Sequence, residues 1–177
     1  MGTRPDDGGD HVDEIVAQWR RERPDLDSSP LATFGRIFRI GTLADAALSR
    51  GMEQHALQPG WFDILAALRR AGEPFELNPT ELMRSTLLSS GGMTKRLDRL
   101  AEAGLVRRRP DPGDRRGTLV GLTRKGRTAV DAALVSHLAN EDGLLAPLGS
   151  ADRRTLDRLL RKLLIGLEGG IRKGEAR

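Results

Sequence analysis

Two adjacent arginines, Arg115 and Arg116, carry the clearest chemistry in this 177-residue chain. They stand in the polar segment Asp114–Gly117, between two short apolar runs at residues 105–106 and 118–120. Apolar runs bounded by turn residues predict paired strands, here with a long connection whose tip is Asp114–Gly117. Guanidinium groups on a thin loop can reach a narrow minor groove of DNA, where the negative potential is enhanced, and Asp114 would hold one of them in place. The alternative for the hairpin alone is a solvated charged surface.

The segment just before this hairpin, residues 89–104, predicts a helix with one apolar and one polar face. Ser89 or Ser90 would cap its start, and Gly104 marks its end. The inward residues, at helical spacing, would be Met93, Leu97, Leu100 and Ala101. The opposite arc would carry small and polar residues: Ser89, Ser90, Gly91, Thr94, Lys95 and Arg99.

That polar arc suits the major groove of DNA. A recognition helix enters the groove with its N-terminal end first, where small residues let the backbone approach. Hydroxyl groups can reach phosphates or base edges, and Lys95 can meet guanine. Asp98 is discordant because a carboxylate repels phosphate, but Lys95 lies three residues earlier and can pair with it. A helix followed by a cationic hairpin is the arrangement of a winged DNA-binding domain.

Helical patterns surround this pair of elements. Caps, prolines and apolar spacing predict further helices at about residues 11–23, 29–55, 60–72, 78–86, 123–143 and 150–168. The last helix has a wide apolar face made of Leu156, Leu159, Leu160, Leu163, Leu164 and Leu167. Apolar faces of this size, outside the compact centre, favour a second copy of the chain over packing on their own core.

The resulting domain prediction has four parts. Residues 1–9 form a disordered tail, and residues 10–56 form N-terminal helices for dimerisation and a ligand pocket. Residues 57–122 form a winged helix-turn-helix, and residues 123–170 form C-terminal dimerisation helices. The expected fold class is therefore mainly α.

Composition excludes several classes of function. There is no cysteine, so disulfides, thiolate zinc sites and a cysteine redox switch are excluded. No apolar run reaches a membrane span and no secretion signal is present, so we expect a cytoplasmic protein without a membrane partner. The net charge is +4, and the cations are almost all arginine. Arginine suits phosphate, and the alternative is that its abundance reflects genome base composition.

Two other classes compete with a sequence-specific DNA reader. An enzyme is disfavoured because His11, His55 and His137 have no metal-type spacing and no Gly-rich phosphate loop follows a strand. We therefore expect no catalytic residues, cofactor or metal. A winged-helix module that binds protein or coats DNA nonspecifically is the second competitor, although it does not require Thr94, Lys95 and Arg99 on one arc.

The chain resembles the MarR family of winged-helix repressors. The resemblance lies in residues 111–117 followed by 122–126, and in the helix segment 89–97. It implies a homodimer on a near-palindromic operator, usually repressing a divergent neighbouring gene. It also implies that Arg116 is the minor-groove residue and that Asp114 is its orienting partner.

A finer resemblance, to the urate-responsive branch of that family, lies in the extra N-terminal helix and in residues 61–65 and 91–96. It implies a ligand site in which Trp19 stacks on a flat heterocycle and Arg108 pairs with its anionic edge. Asp63 would lie near the ligand and link to Arg96, so an arriving anion would shift the recognition helix. Urate is the expected effector, with xanthine, another purine or a phenolic compound left open. Trp19 as a core residue and Asp63 as a solvent-facing residue are the structural alternatives.

Overall fold

The computed structural model describes residues 8–86 and 92–174, apart from the side chains of residues 115 and 171–174. The fold is mainly helical (68%) with a small antiparallel sheet, as predicted. The helices in the described part are α1 (His11–Glu22), α2 (Ser29–Glu53), α3 (Trp61–Arg70), α4 (Pro79–Ser85), α5 (Met93–Glu102), α6 (Arg124–Leu144) and α7 (Ser150–Gly174). The strands are β1 (Glu76–Leu77), β2 (Val106–Asp111) and β3 (Asp114–Leu122).

The chain divides into two compact units, Met1–Arg50 and Gly51–Arg177. In the first unit, α1 begins at a capping box, in which Asp10 accepts from the backbone N–H of Asp13 and the Asp13 carboxylate accepts from that of Asp10. Arg36 of α2 donates to both carboxylates at 2.7 Å. Val12 and Val16 are buried on the other side of α1. The finer domain boundaries at residues 56 and 122 remain a prediction.

The second unit contains the main core. Helix α3 is apolar on nearly every side, and such a helix is stable only when it is surrounded. Ile64, Leu65 and Leu68 are completely buried, together with Leu82 of α4 and Leu100 of α5. Val120 of β3 and Val130 of α6 close the same core. Helices α4 and α5 and the hairpin are therefore anchored on one apolar cluster.

The hairpin differs from its prediction. Strands β2 and β3 extend through the arginine-rich segment, so the turn lies at Pro112 and Gly113 and not at Asp114–Gly117. Asp111 causes part of this difference, because its carboxylate accepts the backbone N–H of Gly113 at 2.8 Å and closes a tight turn. The register of the β2–β3 pairing shifts between Pro110 and Asp111, just before that turn.

Strand β1 was not predicted. It pairs antiparallel with β3, placing Glu76 opposite Gly121 and Leu77 opposite Val120, so the sheet order is β1-β3-β2. Two residues are too short for a periodic pattern, and the pairing depends on a strand more than forty positions away in the chain. Among the described residues, no helix is long and apolar enough to cross a membrane.

Candidate nucleic-acid interface

Helix α5 presents the two faces that its sequence predicts. Met93, Leu97 and Leu100 are buried, with Leu100 completely inaccessible, and Ala101 is half-buried against the core. The side that faces solvent carries Thr94, Lys95 and Arg99. The exposed polar arc is therefore available for a groove of DNA.

The start of α5 was predicted too early. The helix begins at Met93, and the residue at the N-cap is Gly92, in the left-handed region with φ 79°, not Ser89 or Ser90. Glycine suits this position because it has no Cβ to clash in a left-handed conformation. Ser89, Ser90 and Gly91, which were predicted to contact DNA, lie outside the described residues.

Beyond the turn of the hairpin, Arg116 is exposed. Its backbone N–H donates to the Asp114 carboxylate at 2.9 Å. Asp114 therefore fixes the backbone that carries Arg116, a role different from holding a guanidinium directly. The backbone of Arg115 continues in β3.

An ion pair connects α5 to the hairpin. Arg108 of β2 donates to the Asp98 carboxylate at 2.7 Å, and the two side chains are 38% and 48% exposed. The expected partner of Asp98 was Lys95, on the same helix. A cross-element partner could not be read from helical spacing, because it depends on which face of β2 Arg108 occupies.

The neighbouring arginines of β2 lie on the opposite face. Side chains alternate along a strand, so Arg107 and Arg109 share one face and Arg108 lies on the other. Arg107 donates to Glu76 of β1 at 3.0 Å, and Arg109 donates to the same carboxylate at 2.6 Å. The Glu76 side chain is only 5% exposed. Sequence analysis missed Glu76, which stands in no motif.

The electrostatic setting of Glu76 favours its charged form. The hydrogen bond from Arg109 is the largest influence and holds the pKa of the carboxyl below its ordinary value of 4.5. Burial acts in the opposite direction, and the second hydrogen bond, from Arg107, again lowers the pKa. Glu76 is therefore ionised under neutral conditions.

Asp63, the predicted ligand-proximal carboxylate, lies at the edge of a cavity of about 500 Å³. Its lining includes Phe62, Asp63 and Arg70 of α3, Arg84 of α4, Thr86 just after α4, and Leu134 and His137 of α6. The His137 ring lies over the Phe62 ring with 4.4 Å between centroids. The cavity thus combines an aromatic wall with two guanidinium groups, a chemistry suited to a small flat anion.

The remaining predicted ligand residues lie on different elements. Trp19 is on α1 in the first unit and is 49% exposed, so its side chain is not core. Arg96 is half-buried on the flank of α5, and Arg108 is engaged by Asp98. Within the described residues, no group of three or more His, Asp or Glu side chains could hold a metal ion.

The chain is similar to several known proteins. A model of the MarR family matches residues 56–117, which include α3, α4, α5 and most of the hairpin. The transcriptional regulator PecS of Dickeya dadantii is 38% identical over 149 residues, covering 84% of this chain and 90% of PecS. The chain belongs to the MarR family. It is therefore a DNA-binding transcriptional regulator and not an enzyme.

Solved structures of MarR-family proteins support the same assignment. A variant of MarR from Escherichia coli, solved with operator DNA, has a TM-score of 0.66 and 26% identity, covering 88% of this chain and 99% of that one. BpsR of Bordetella bronchiseptica has a TM-score of 0.66 and 25% identity, covering 73% of this chain and 90% of that one. The BpsR structure concerns regulation of its DNA binding by 6-hydroxynicotinic acid.

Proposed function

We propose that this MarR-family protein is a homodimeric repressor that binds a near-palindromic operator and releases it when a small, flat anion binds. Helix α5 enters the major groove through Thr94, Lys95 and Arg99, and Arg116 of the hairpin reaches the adjacent minor groove. The observation that carries the proposal is the ion pair between Asp98 and Arg108, 2.7 Å long, which joins the two DNA-contacting elements into one surface.

Exposed apolar side chains support the homodimer. In the first unit, Phe38 is 70% exposed and Ile40 is 64% exposed, both on α2. In the second unit, Val135 of α6 is 72% exposed and Ile165 of α7 is 63% exposed. Several leucines of α7 add to the same exposure: Leu156, Leu159, Leu160, Leu164 and Leu167. Apolar exposure of this extent on a stable protein is normally covered by a partner, here a second copy.

The cavity beside Asp63 supports the effector. Arg70 and Arg84 supply positive charge and Phe62 supplies a flat apolar wall, which together suit an anionic heterocycle. The regulation of BpsR by 6-hydroxynicotinic acid, a hydroxylated heteroaromatic acid, is consistent with that chemistry. Urate or another purine remains the proposed effector, with Trp19, Asp63, Arg96 and Arg108 as the residues that bind it and transmit the change.

Binding of labelled DNA by the full chain tests this function. Fluorescence anisotropy would compare the duplex upstream of the protein's own gene with a shuffled duplex of the same length and composition. We expect tight, two-subunit binding to the first duplex only, and its loss on adding urate. Xanthine, salicylate and 6-hydroxynicotinic acid, added in parallel, identify the class of effector. Equal affinity for both duplexes would overturn the proposal, because it would indicate nonspecific coating of DNA.

A further inference from the structure

Glu76 lies at the base of the hairpin and has no assigned role in recognition. Its carboxylate receives both β2 arginines of one face, with Arg109 donating through Nε at 3.1 Å and Nη2 at 2.6 Å to the same oxygen. Arg107 donates through Nη2 at 3.0 Å to the other oxygen. One nearly inaccessible carboxylate thus holds two arginines that are themselves 53% and 41% exposed.

The backbone is shaped to accept this carboxylate. Glu76 is paired with Gly121 of β3, where an added Cβ would lie 2.6 Å from the Glu76 Cγ. Only a residue without a side chain leaves room at that position. The Glu76 side chain therefore crosses β3 at a glycine and reaches β2, so that it connects the two outer strands of the sheet.

The residue before Glu76 anchors the same segment to the helices. The Phe75 ring contacts two guanidinium groups, Arg69 of α3 at 5.1 Å and Arg127 of α6 at 4.9 Å from its centroid. The Phe75 carbonyl also accepts the backbone N–H of Leu122 at 3.1 Å. Because β1 is fixed to the helical core in this way, the orientation that Glu76 imposes on β2 is an orientation relative to that core.

We propose that Glu76 is a positioning residue for operator recognition, which fixes the hairpin and withholds two arginines from nonspecific contact with phosphate. The inference goes beyond the proposed function and rests on its assignment of the hairpin to DNA. Removing the carboxylate has two opposed effects. The hairpin loses its fixed orientation, which weakens sequence-specific binding, and two released cations strengthen attraction to any DNA.

The variant Glu76→Gln tests this proposal in the full chain. We expect the ratio of operator affinity to nonspecific affinity to fall roughly tenfold, with operator binding weaker and nonspecific binding unchanged or tighter. The matched control is Glu73→Gln, an exposed carboxylate three residues earlier, which loses the same charge. Anisotropy at two salt concentrations separates the effects, because released arginines steepen the salt dependence. If Glu76→Gln changes the affinity for both duplexes by the same factor, or changes neither affinity, the proposal is overturned.

A second variant covers the case in which Glu76→Gln does not fold. Arg109→Lys keeps the cation but cannot donate through two nitrogens in a fixed plane. We expect a smaller fall in the affinity ratio without a rise in nonspecific affinity, and an unchanged ratio would contradict the role of Glu76. Arg116→Ala distinguishes the two proposals. If Arg116→Ala weakens operator binding while Glu76→Gln and Arg109→Lys both behave like the native protein, only the role of Glu76 is wrong.

Discussion

Arg108 of β2 donates to Asp98 of α5 across 2.7 Å, so a residue predicted to bind the effector is paired with the proposed recognition helix. An anion that approaches Arg108 must compete with this carboxylate. Once displaced, Asp98 would be an unpaired negative charge on α5, the helix proposed to enter the major groove. Binding of an anion and loss of DNA affinity are then linked by a single exchange of partners.

The variant Asp98→Asn tests this exchange. Removing the internal competitor should let the effector bind roughly 1.4- to fivefold more tightly, the range that corresponds to an exposed ion pair of about 0.2–1 kcal/mol. Isothermal titration calorimetry of urate on the DNA-free protein measures the change. Asp157→Asn is the control, because it removes a carboxylate from an exposed pair with Arg161, 2.9 Å long, on α7. Weaker or unchanged urate binding would argue against competition.

Removal of the exposed hairpin arginine should weaken operator binding. Arg116→Ala removes the guanidinium of a residue whose backbone N–H donates to the Asp114 carboxylate at 2.9 Å. We expect a loss of about 1–3 kcal/mol in the free energy of operator binding. Anisotropy at matched salt measures it. Arg21→Ala, at an exposed position in the last turn of α1, provides a control for loss of one positive charge. An operator dissociation constant equal to that of the native protein would show that the hairpin does not read DNA.

The stability that Glu76 provides where β1 meets the hairpin should be lost at acid pH. Glu76 faces Arg107 and Arg109, and Asp111 lies close enough to influence Arg109. The pKa of Glu76 is lowered in the folded state. The stabilisation that the ionised Glu76 provides is therefore complete above about pH 4.5, the ordinary pKa of this carboxyl, and is lost as the pH falls through the lowered pKa of the folded state. Urea unfolding between pH 6 and 3 should show native protein and Glu76→Gln converging toward low pH. A difference in the free energy of unfolding between the two proteins that stays the same at every pH would contradict a stabilising role of ionised Glu76.

Features that are determined by residues close together in the chain were predicted more accurately than features that depend on the rest of the fold. The cap of α4 was predicted because Asn78 and Pro79 specify a helix start with no help from the rest of the fold, and Asn78 does form a capping box with Glu81. The start of α5 was misplaced because Ser89 and Ser90 are good caps locally, whereas Gly92 takes that position in the structure. Propensity ranks possible caps but does not decide among them.

The determinants that sequence analysis missed join distant parts of the chain. The pairing of Glu76 with Gly121 and the ion pair of Asp98 with Arg108 depend on strand register, which alternation alone leaves open by one residue. The run Arg107–Arg109 predicts a positively charged strand but does not show which face of the sheet each guanidinium occupies. Only the register assigns two arginines to Glu76 and the middle one to Asp98.

Two conservative changes should separate effector binding from DNA binding. Trp19→Phe removes the indole N–H and shortens the stacking surface, and Asp63→Asn removes the charge at the edge of the cavity. We expect operator affinity within about twofold of native for both, since neither position lies on the exposed arc of α5. Titration of urate into preformed complexes should require roughly tenfold more ligand for release. Trp19→Phe would bind urate more weakly, and in Asp63→Asn the bound anion would no longer repel the carboxylate through which it is proposed to shift α5. If urate releases both variants as readily as the native protein, the assignment of these residues is wrong.

A charge on the exposed apolar face of α7 should separate the subunits. Ile165 is 63% exposed in the single chain, so Ile165→Glu leaves its fold intact but puts an unpaired carboxylate into an interface between two copies. Light scattering coupled to size exclusion should then report a monomer of about 19.4 kDa. Operator affinity should fall by much more than half, because in the proposed dimer two linked α5 helices would bind two half-sites at high effective concentration. Glu168→Gln, on the same helix, tests whether any change of charge there has this effect. A dimer that persists in Ile165→Glu would place the subunit interface elsewhere.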